Sequence, residues 1–378
     1  MRWPSLVVAA ALALAAPACA RADAIGSALP IGLPPSTGKI FYVAPTGSDR
    51  NRGTRKRPWR TIQKALDRLQ PGQRAYVRAG TYTQDLVMSR SGTAAAPITI
   101  AAFPGERVVL HAASTTGDTY PVRITGSYFR LHGFVVEQAI GVSSTDVYIQ
   151  GSANHVEISG SELRYSQDQG LFAERTTSYV FIVANRIHDN GWGHVEGQHQ
   201  SHGMYVEGSY DVIADNVIYN QPYGFGIQLY PANHDTVVVD NTAVRNGHSG
   251  IVVGGPGGVY NITIRNNIFA FNGSWGIETD SRCPSAITID HNLLFGNPGG
   301  GIRAGCAGLD TAGGNVESDP LFVDGASNDL RIQPVSPAVA QALAEWSEPF
   351  DATGRRRPAS APSIGAYEPA FSIGAPGL

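Results

Sequence analysis

A short phrase in which apolar and polar residues alternate after a glycine recurs six times between residues 170 and 305. The copies read GLFAE, GMYVE, GIQLY, GIVVG, GIETD and GIRAG, and they start at Gly170, Gly203, Gly226, Gly250, Gly276 and Gly301. Consecutive starts lie 33, 23, 24, 26 and 25 residues apart, a period typical of solenoids. Each phrase is short and alternating, so it predicts a β-strand. One strand per coil, all in one direction, gives an all-β fold: a parallel β-helix.

The alternation predicts which side chains face the interior, because successive strand residues point to opposite sides. The inward columns are Leu171, Met204, Ile227, Ile251, Ile277 and Ile302, followed by Ala173, Val206, Leu229, Val253, Thr279 and Ala304. The outward columns are Phe172, Tyr205, Gln228, Val252, Glu278 and Arg303, followed by Glu174, Glu207, Tyr230, Gly254, Asp280 and Gly305. We expect the functional site on this outward face.

Asparagines recur with the same period and predict stacked corners between strands. One series contains Asn185, Asn216, Asn241, Asn267 and Asn292, and a second contains Asn190, Asn220, Asn246, Asn272 and Asn297. Asn accepts left-handed backbone and hydrogen-bonds turn backbone, so these residues favour a structural role. Apolar runs such as YVFIVANRI and NITIRNNIF precede them and predict a second strand in each coil.

Composition narrows the function classes for this chain of 378 residues. Only 16% of the residues are charged and the net charge is −3, which argues against nucleic acid as a partner. Residues 1–24 combine Arg2, an apolar core and small residues before a cleavage point, as in a secretory signal peptide. We therefore expect a secreted or periplasmic protein that is monomeric and does not span a membrane. Lipidation at Cys19 is a weaker alternative, because Ala16 and Pro17 precede the cysteine where a lipobox usually has a larger apolar residue.

Two cysteines, Cys283 and Cys306, remain after the signal segment. They lie one coil apart and follow GIETD and GIRAG at nearly equal offsets. In an exported protein this spacing predicts a disulfide.

The N-terminal block after the 25–38 linker predicts a strand and then an amphipathic helix. Thr61 is the expected N-cap, Ile62, Ala65, Leu66 and Leu69 the apolar face, and Pro71-Gly72 the stop. A solenoid must cover its open end, so this helix is read as a cap.

At this block the chain resembles a known group. YVAPTGSDRNRGT, PWRTIQKAL and VRAGTY, with the later DPLFVDGASNDLRIQPVSPAV and GRRRPASAPSIGAYE, resemble secreted right-handed parallel β-helix proteins of the pectate-lyase-like superfamily. The resemblance implies one right-handed β-helix domain over 39–370, with a cap at 39–72, coils at 75–315 and a closing segment at 316–370. It implies a carbohydrate substrate class without identifying the sugar.

A histidine-rich insertion between Asn190 and Gly203 lengthens one coil. It carries Trp192, His194, Glu196, His199 and His202, which we expect to form one wall of a groove beside the outward face. A solvated loop that happens to contain histidines is the alternative.

Glu174 and Glu207 fall on adjacent coils of one outward column, where like charges destabilise a sheet unless a cation bridges them or one is protonated. We therefore expect Glu174 and Glu207, with Asp280, to hold a metal ion such as Ca²⁺. The alternative is that both glutamates lean into solvent and pair with Arg175 or Arg164.

The leading hypothesis is a polysaccharide lyase acting on a uronate glycan. Several lyases of the superfamily use a lysine base, but the three lysines here all precede the coils. Proton transfer is therefore assigned to His202, His199, Tyr205 or Tyr230, with an arginine such as Arg303 as an alternative base. Substrate contacts are assigned to a further set, namely Gln228, Trp192, Trp275, Arg303 and His194. The alternatives are a glycoside hydrolase with Glu174 and Glu207 as its carboxylates, or a glycan-binding adhesin that stacks sugars on Trp275, Phe225 and Tyr205.

Overall fold

A computed structural model describes residues 33, 35–114, 119–137, 145–193, 201–280, 282, 285–305, 309–311 and 313–369. The coils form a right-handed parallel β-helix with three parallel sheets, as predicted for the fold class. Within these ranges, no helix is long and apolar enough to span a membrane. The predicted signal peptide and most of the linker lie outside the described residues.

Each coil contains three strands, not the two that the sequence predicted. Runs that looked like single strands are split, because the residue before the corner asparagine adopts a left-handed backbone, as in Ala184 at φ 55°. Sheet 1 has eleven strands: Ile40–Val43, Arg74–Val77, Ile98–Ala102, Phe129–His132, Asn154–Ser159, Ser178–Val183, Val212–Ala214, His234–Val239, Tyr260–Arg265, Ser285–Asp290 and Leu309–Asp310.

The other two sheets have nine strands each. Sheet 2 contains Gly80–Thr83, Val108–His111, Phe134–Glu137, Glu162–Arg164, Arg186–His188, Val217–Tyr219, Thr242–Val244, Ile268–Ala270 and Leu293–Phe295. Sheet 3 contains Leu86–Met88, Val122–Ile124, Val147–Ile149, Leu171–Ala173, Met204–Val206, Ile227–Leu229, Ile251–Val253, Trp275–Thr279 and Gly300–Arg303. The glycine-led phrases are therefore the strands of sheet 3.

The predicted inward columns of sheet 3 are confirmed over five coils and, in the last coil, for Ile302, which still packs against the core, but not for Ala304. Leu171, Met204 and Ile227 have no exposed surface, whereas Ile302 is only half-buried and Ala304 is exposed. The strand ends at Arg303, one residue before Ala304. This is the last coil of sheet 3, so no further strand of that sheet covers it.

A ladder of asparagines closes the corner between sheets 1 and 2, as predicted. Asn241 is typical: its Oδ1 accepts the Asn216 N–H at 2.9 Å, and its Nδ2 donates to the Ile213 carbonyl at 2.7 Å. The second corner departs from the prediction at one coil. Gln221, not Asn220, fills the ladder, and its Oε1 accepts the Asn190 N–H at 3.0 Å. Asn220 precedes it with φ of 55°, a conformation that asparagine tolerates.

The predicted helix of the N-terminal block is present over Ile62–Leu66, but it ends before Leu69 and before the predicted stop at Pro71-Gly72. Thr61 is its N-cap, and the Thr61 Oγ1 accepts the Lys64 N–H at 3.2 Å. Ile62, Ala65 and Leu66 are buried against the first coils.

The closing segment packs on the outer face of sheet 2. It contains the antiparallel strands Phe322–Asp324 and Asp329–Ile332 and the 3₁₀ helices Gly325–Ser327 and Ala344–Trp346. Its apolar side chains contact those of the late coils, in two clusters that include Leu330, Ile332, Ile364 and Ala366 with Val217, Val244, Ile268 and Leu293.

Polar contacts fix the same segment to a row of left-handed corner residues. Arg357 donates to Asp215 Oδ1 at 2.6 Å, and the Glu348 N–H donates to Asp240 Oδ2 at 2.8 Å. Sheet 2 is therefore covered along its late coils, while the outer face of sheet 3 is left for other contacts.

Candidate functional site

The outer face of sheet 3 carries the predicted outward column in register. Phe172 pairs with Tyr205, Tyr205 with Gln228, Gln228 with Val252, Val252 with Glu278, and Glu278 with Arg303. The column extends backwards through Tyr148 and Arg123. Residues about two dozen positions apart in the chain are therefore lateral neighbours, about 4.8 Å apart per coil.

Aromatic rings stack along the first half of this column. The ring centroids of Tyr120 and Tyr148 lie 4.6 Å apart, those of Tyr148 and Phe172 5.2 Å, and those of Phe172 and Tyr205 5.0 Å. The Tyr148–Phe172 and Phe172–Tyr205 planes are nearly parallel, at 9° and 16°. Because the rings cover one another's faces, Phe172 presents its edge to solvent and Tyr205 has one face covered. This geometry disfavours the sugar-stacking role predicted for Tyr205.

Glu174 and Glu207 do lie on adjacent coils, but each has its own partners. Glu174 Oε1 accepts the Tyr148 hydroxyl, and Glu174 Oε2 accepts the Gly151 N–H at 2.8 Å. Glu207 Oε2 accepts the Arg175 N–H at 3.2 Å. Hydrogen bonds thus relieve the like-charge contact that the sequence suggested.

Tyr205 remains protonated in this environment. Burial raises the pKa of its phenol, and so do a hydrogen bond to Glu207 and the negative charge of that carboxylate. The side chain therefore serves as a hydrogen-bond and proton donor at neutral pH.

Two arginines and two tyrosines meet where the chain leaves sheet 3. We call Arg175, Tyr205, Tyr230 and Arg282 the Arg–Tyr patch. Arg282 Nη2 donates to the Tyr230 hydroxyl oxygen at 2.8 Å and also contacts Asp280 Oδ2 at 3.1 Å. The Arg282 side chain is 55% exposed. The patch therefore places two guanidinium groups, one of them paired with Asp280, next to phenol groups at the surface.

Arg175 reaches into the patch because Gly257 has no side chain. A Cβ at Gly257 would lie 2.2 Å from Arg175 Nη2 and 2.6 Å from the Ala232 Cβ. Arg175 is also close enough to Tyr205 for its charge to oppose the rise in the phenol pKa. Sequence reasoning considered Arg175 only as an ion-pair partner and missed Arg282. The available signal was that each arginine follows an acidic residue of the second outward column, Arg175 by one position and Arg282 by two.

His202 lies beneath the face and not on it. Its side chain is 2% exposed, its Nδ1 accepts the Phe225 N–H at 3.1 Å, and its ring packs against Tyr205 and Phe225. A base must reach the proton it removes. This placement suits a positioning role better than the predicted proton transfer. Phe225 is buried too, which rules out its predicted stacking role.

The other predicted contact residues are spread along the face. Gln228 is half-buried in the central column next to Tyr205. Arg303 ion-pairs with Glu278 at 2.5 Å, and Ser249 donates to the other oxygen of Glu278 at 2.6 Å. Arg303 therefore lies three coils from Gln228 and does not belong to the Arg–Tyr patch.

The two predicted tryptophans do not converge with the patch. Trp275 lies over Gly299 and Gly300 of the next coil, where added Cβ atoms would meet its ring at 2.6 and 3.1 Å. Trp192 is 59% exposed and donates through Nε1 to the Asp189 carbonyl at 2.6 Å.

Several predictions fall outside the described residues. His194, His199 and Glu196 of the insertion do so, and so do Cys283 and Cys306 of the predicted disulfide. The insertion, the groove wall and the disulfide stay predictions.

The three predicted metal ligands do not converge. Asp280 is three coils from Glu207, roughly 14 Å at the parallel strand spacing, and it is held by Arg282. Across the described part of the chain, no group of three or more His, Cys, Asp or Glu side chains is placed to hold a metal ion. These carboxylates therefore do not fit a shared Ca²⁺ site, and no step below runs through one.

Comparison with known proteins supplies the family. A family model described as "Pel9A-like, right handed beta helix region" matches residues 41–303. The uncharacterized protein YwoF of Bacillus subtilis is 28% identical over 308 residues, which are 71% of this chain and 64% of that protein. Pectate lyase L of Dickeya chrysanthemi is 24% identical over 318 residues, 75% of this chain and 69% of the relative. The match thus spans less than two thirds of the length of YwoF.

Among solved structures, the crystal structure of pectate lyase Pel9A matches with a TM-score of 0.67. The two sequences are 20% identical, and the match covers 88% of this chain and 97% of that one. At this identity the likeness concerns the fold.

Proposed function

The chain belongs to the Pel9A-like right-handed β-helix family, and from that premise we propose that it is an exported lyase that cleaves a uronate-containing polysaccharide by β-elimination. A polysaccharide-lyase-like β-helix is common to the family model and to the pectate lyases it resembles. The proposal adds the reaction, the acidic substrate and the site.

One observation carries the site assignment: Arg282 donates to Tyr230 at 2.8 Å on an exposed face that Arg175 also reaches. β-Elimination at a uronate needs a cation that neutralises the C5 carboxylate, a base for the C5 proton and an acid for the leaving oxygen. Guanidinium groups match carboxylates in a two-pronged geometry. Arg175 and Arg282 therefore bind and neutralise the uronate carboxylate.

The two tyrosines divide the proton transfers. Before the reaction the Tyr230 hydroxyl gives its proton to solvent, and Arg282 stabilises the resulting phenolate. The phenolate oxygen then takes the C5 proton. The electron pair of the C5–H bond forms the C4=C5 double bond, and the C4–O bond breaks. The leaving oxygen takes its proton from the Tyr205 hydroxyl, whose pKa is raised by burial and by Glu207. The products are an unsaturated sugar end and a new hydroxyl end.

Glu207 and Glu174 act on the tyrosines in this scheme. Glu207 faces the Tyr205 phenol and also accepts the Arg175 N–H, so it connects the proton donor to the backbone that carries the arginine. Glu174 holds Tyr148 in the same way one coil earlier. His202 supports the Tyr205 ring from below.

The test is incubation of the protein without residues 1–24 with pectate, alginate and chondroitin, each with Ca²⁺ and with chelator. We expect ultraviolet-absorbing unsaturated ends from at least one polyuronate. Activity that persists in chelator agrees with arginine neutralisation, whereas strict Ca²⁺ dependence would contradict it. Reducing ends released from neutral glycans without ultraviolet absorption would replace the lyase by a hydrolase.

Tyr230→Phe tests the assigned base. General base catalysis contributes on the order of 100-fold or more, so kcat should fall by at least that factor. Tyr260→Phe is the matched control, because Tyr260 is an exposed tyrosine of sheet 1. Equal activity of the two variants would remove Tyr230 from the mechanism.

A further inference from the structure

A second concave surface lies at the corner between sheets 1 and 2, away from the outer face of sheet 3. It is a groove of about 550 Å³, lined by successive coils and by the closing segment. Its volume lies in the range typical of small-molecule sites. Arg107, Glu162 and Arg186 line it from three coils, and Thr353 and Tyr367 line it from the closing segment.

Both carboxylates of this groove already have partners in the protein. Glu106 accepts Arg78 Nε at 2.8 Å and the Ala79 N–H at 2.6 Å. Glu162 accepts Arg164 at 3.1 Å and lies 3.1 Å from His188 Nε2. The hydrogen bond from His188, together with the charges of the nearby arginines, lowers the pKa of Glu162 to about 2. Both carboxylates stay ionised, and neighbouring arginines offset their negative charge.

The two groove arginines, in contrast, retain donors. The Arg107 side chain is 56% exposed and makes one long ion pair, to Glu162 at 3.4 Å. Arg186 donates to the Tyr219 hydroxyl. Within the described ranges, no carboxylate oxygen lies within 4.0 Å of the Arg186 guanidinium. A guanidinium has five N–H donors, so most of those on Arg107 and Arg186 remain for a ligand.

The arginines are spaced along the solenoid axis. Val109 pairs with Val135, Val135 with Glu162 and Glu162 with Arg186, so Arg107 lies about three coils from Arg186. This separation is roughly 14 Å at the parallel strand spacing. Between them the groove is lined by backbone at Gly133 and Gly160, while the Val108 and Phe134 side chains are buried in the core.

We propose that this groove is a separate binding site for a short acidic oligosaccharide. Arg107 and Arg186 pair with carboxylates on different sugar units. The near-neutral chain disfavours nucleic acid. The inference does not depend on the lyase activity, because none of the Arg–Tyr patch lines the groove.

Isothermal titration calorimetry at low salt measures how tightly the protein binds galacturonate and mannuronate trimers. A neutral trimer of the maltose series is the ligand control. The Tyr230→Phe variant is used so that turnover on sheet 3 adds no heat. Adding Arg107→Gln and Arg186→Gln together should weaken binding of a uronate trimer at least tenfold. Arg50→Gln, an exposed arginine in the N-terminal block, should leave binding unchanged.

The Arg107→Gln single variant controls for misfolding. Because Arg107 is exposed, this variant should keep the parent's melting temperature and still bind the uronate trimer more weakly. The inference is overturned if the double variant binds like its parent, if the neutral trimer binds equally well, or if neither uronate trimer binds. The lyase proposal is judged separately by unsaturated product in the otherwise unaltered protein. The groove variants should leave that turnover unchanged.

Discussion

Replacing Glu348 by glutamine should stabilise the protein at high pH and leave it unchanged at low pH. Glu348 belongs to the closing segment and is only 4% exposed. It lies with Asp215, Asp240 and Glu368 in a group of four buried carboxylates around Arg357. Its Oε2 has no hydrogen-bond partner in the described structure. Burial, then the neighbouring charge of Asp240, raises the pKa of Glu348 from 4.5 to about 7.

The sign follows from the direction of this shift. A carboxyl group with a raised pKa in the folded state binds its proton more tightly there than in the unfolded chain. Its protonation therefore stabilises the fold fully below pH 4.5, and this contribution is lost as the pH rises through about 7. Since one pKa unit corresponds to about 1.4 kcal/mol, the loss for Glu348 is about 3 kcal/mol at most. Part of it is shared with Asp240, whose pKa is raised to about 6 by burial.

Glutamine is nearly isosteric with protonated glutamate and carries no charge at any pH. Urea unfolding followed by circular dichroism at pH 4.5, 6 and 8 measures the effect through the transition midpoint. The Glu348→Gln variant should match the parent at pH 4.5 and exceed its free energy of unfolding by about 1–3 kcal/mol at pH 8. Glu345→Gln, an exposed position three residues earlier, is the matched control.

Parallel pH profiles of parent and Glu348→Gln would refute the reasoning, because the buried carboxyl group would then not titrate in this window. The same refutation follows if Glu345→Gln reproduces the gain. A loss of stability at every pH would mean that the carboxyl group makes a contact that the amide cannot replace.

Three further predictions concern the ladder, the patch and the cysteines. Asn241→Ala removes a fully buried ladder residue and leaves backbone groups unpaired, so the free energy of unfolding should fall by about 3 kcal/mol in urea titration; a loss below about 1 kcal/mol would contradict a structural ladder. Gly257→Ala places a methyl group on the Arg175 guanidinium, so kcat/KM on a responsive polyuronate should fall about tenfold, roughly 1.4 kcal/mol, with an unchanged circular dichroism spectrum; unchanged kinetics would exclude Arg175 from the site. Thiol titration of the denatured protein without residues 1–24 should find no free thiol from Cys283 and Cys306, and finding two would exclude the disulfide.

The sequence predicted the winding because its information is periodic. A repeat near 25 residues, combined with the two-residue alternation of a strand, assigns every residue of a glycine-led phrase to a column and a face. Leu171, Met204 and Ile227 are buried and Tyr205 faces outward as that rule requires. The same rule fails at Ala304, because a period does not say where the stack ends.

The local sequence pattern also could not decide which of two neighbouring residues at a corner occupies the ladder position. Asparagine suits both the ladder position and the left-handed position before it, so sequence spacing chose Asn220 where the structure uses Gln221. A corner in which two neighbouring positions favour the same residue leaves the register ambiguous by one residue.

The chemistry depends on contacts that no period encodes. His202 is withdrawn from solvent by a hydrogen bond from Phe225 on the next coil, and Arg175 reaches the patch because a distant Gly257 leaves space. The closing segment places Arg357 against Asp215, 142 residues earlier in the chain. The sequence alone determined the glycine-led strands and their stacking, since these follow from a repeat one coil long, but not the split of the other run into two strands. Only the tertiary structure decided which side chains reach the surface, because their reach and burial depend on neighbouring coils and on the docked closing segment.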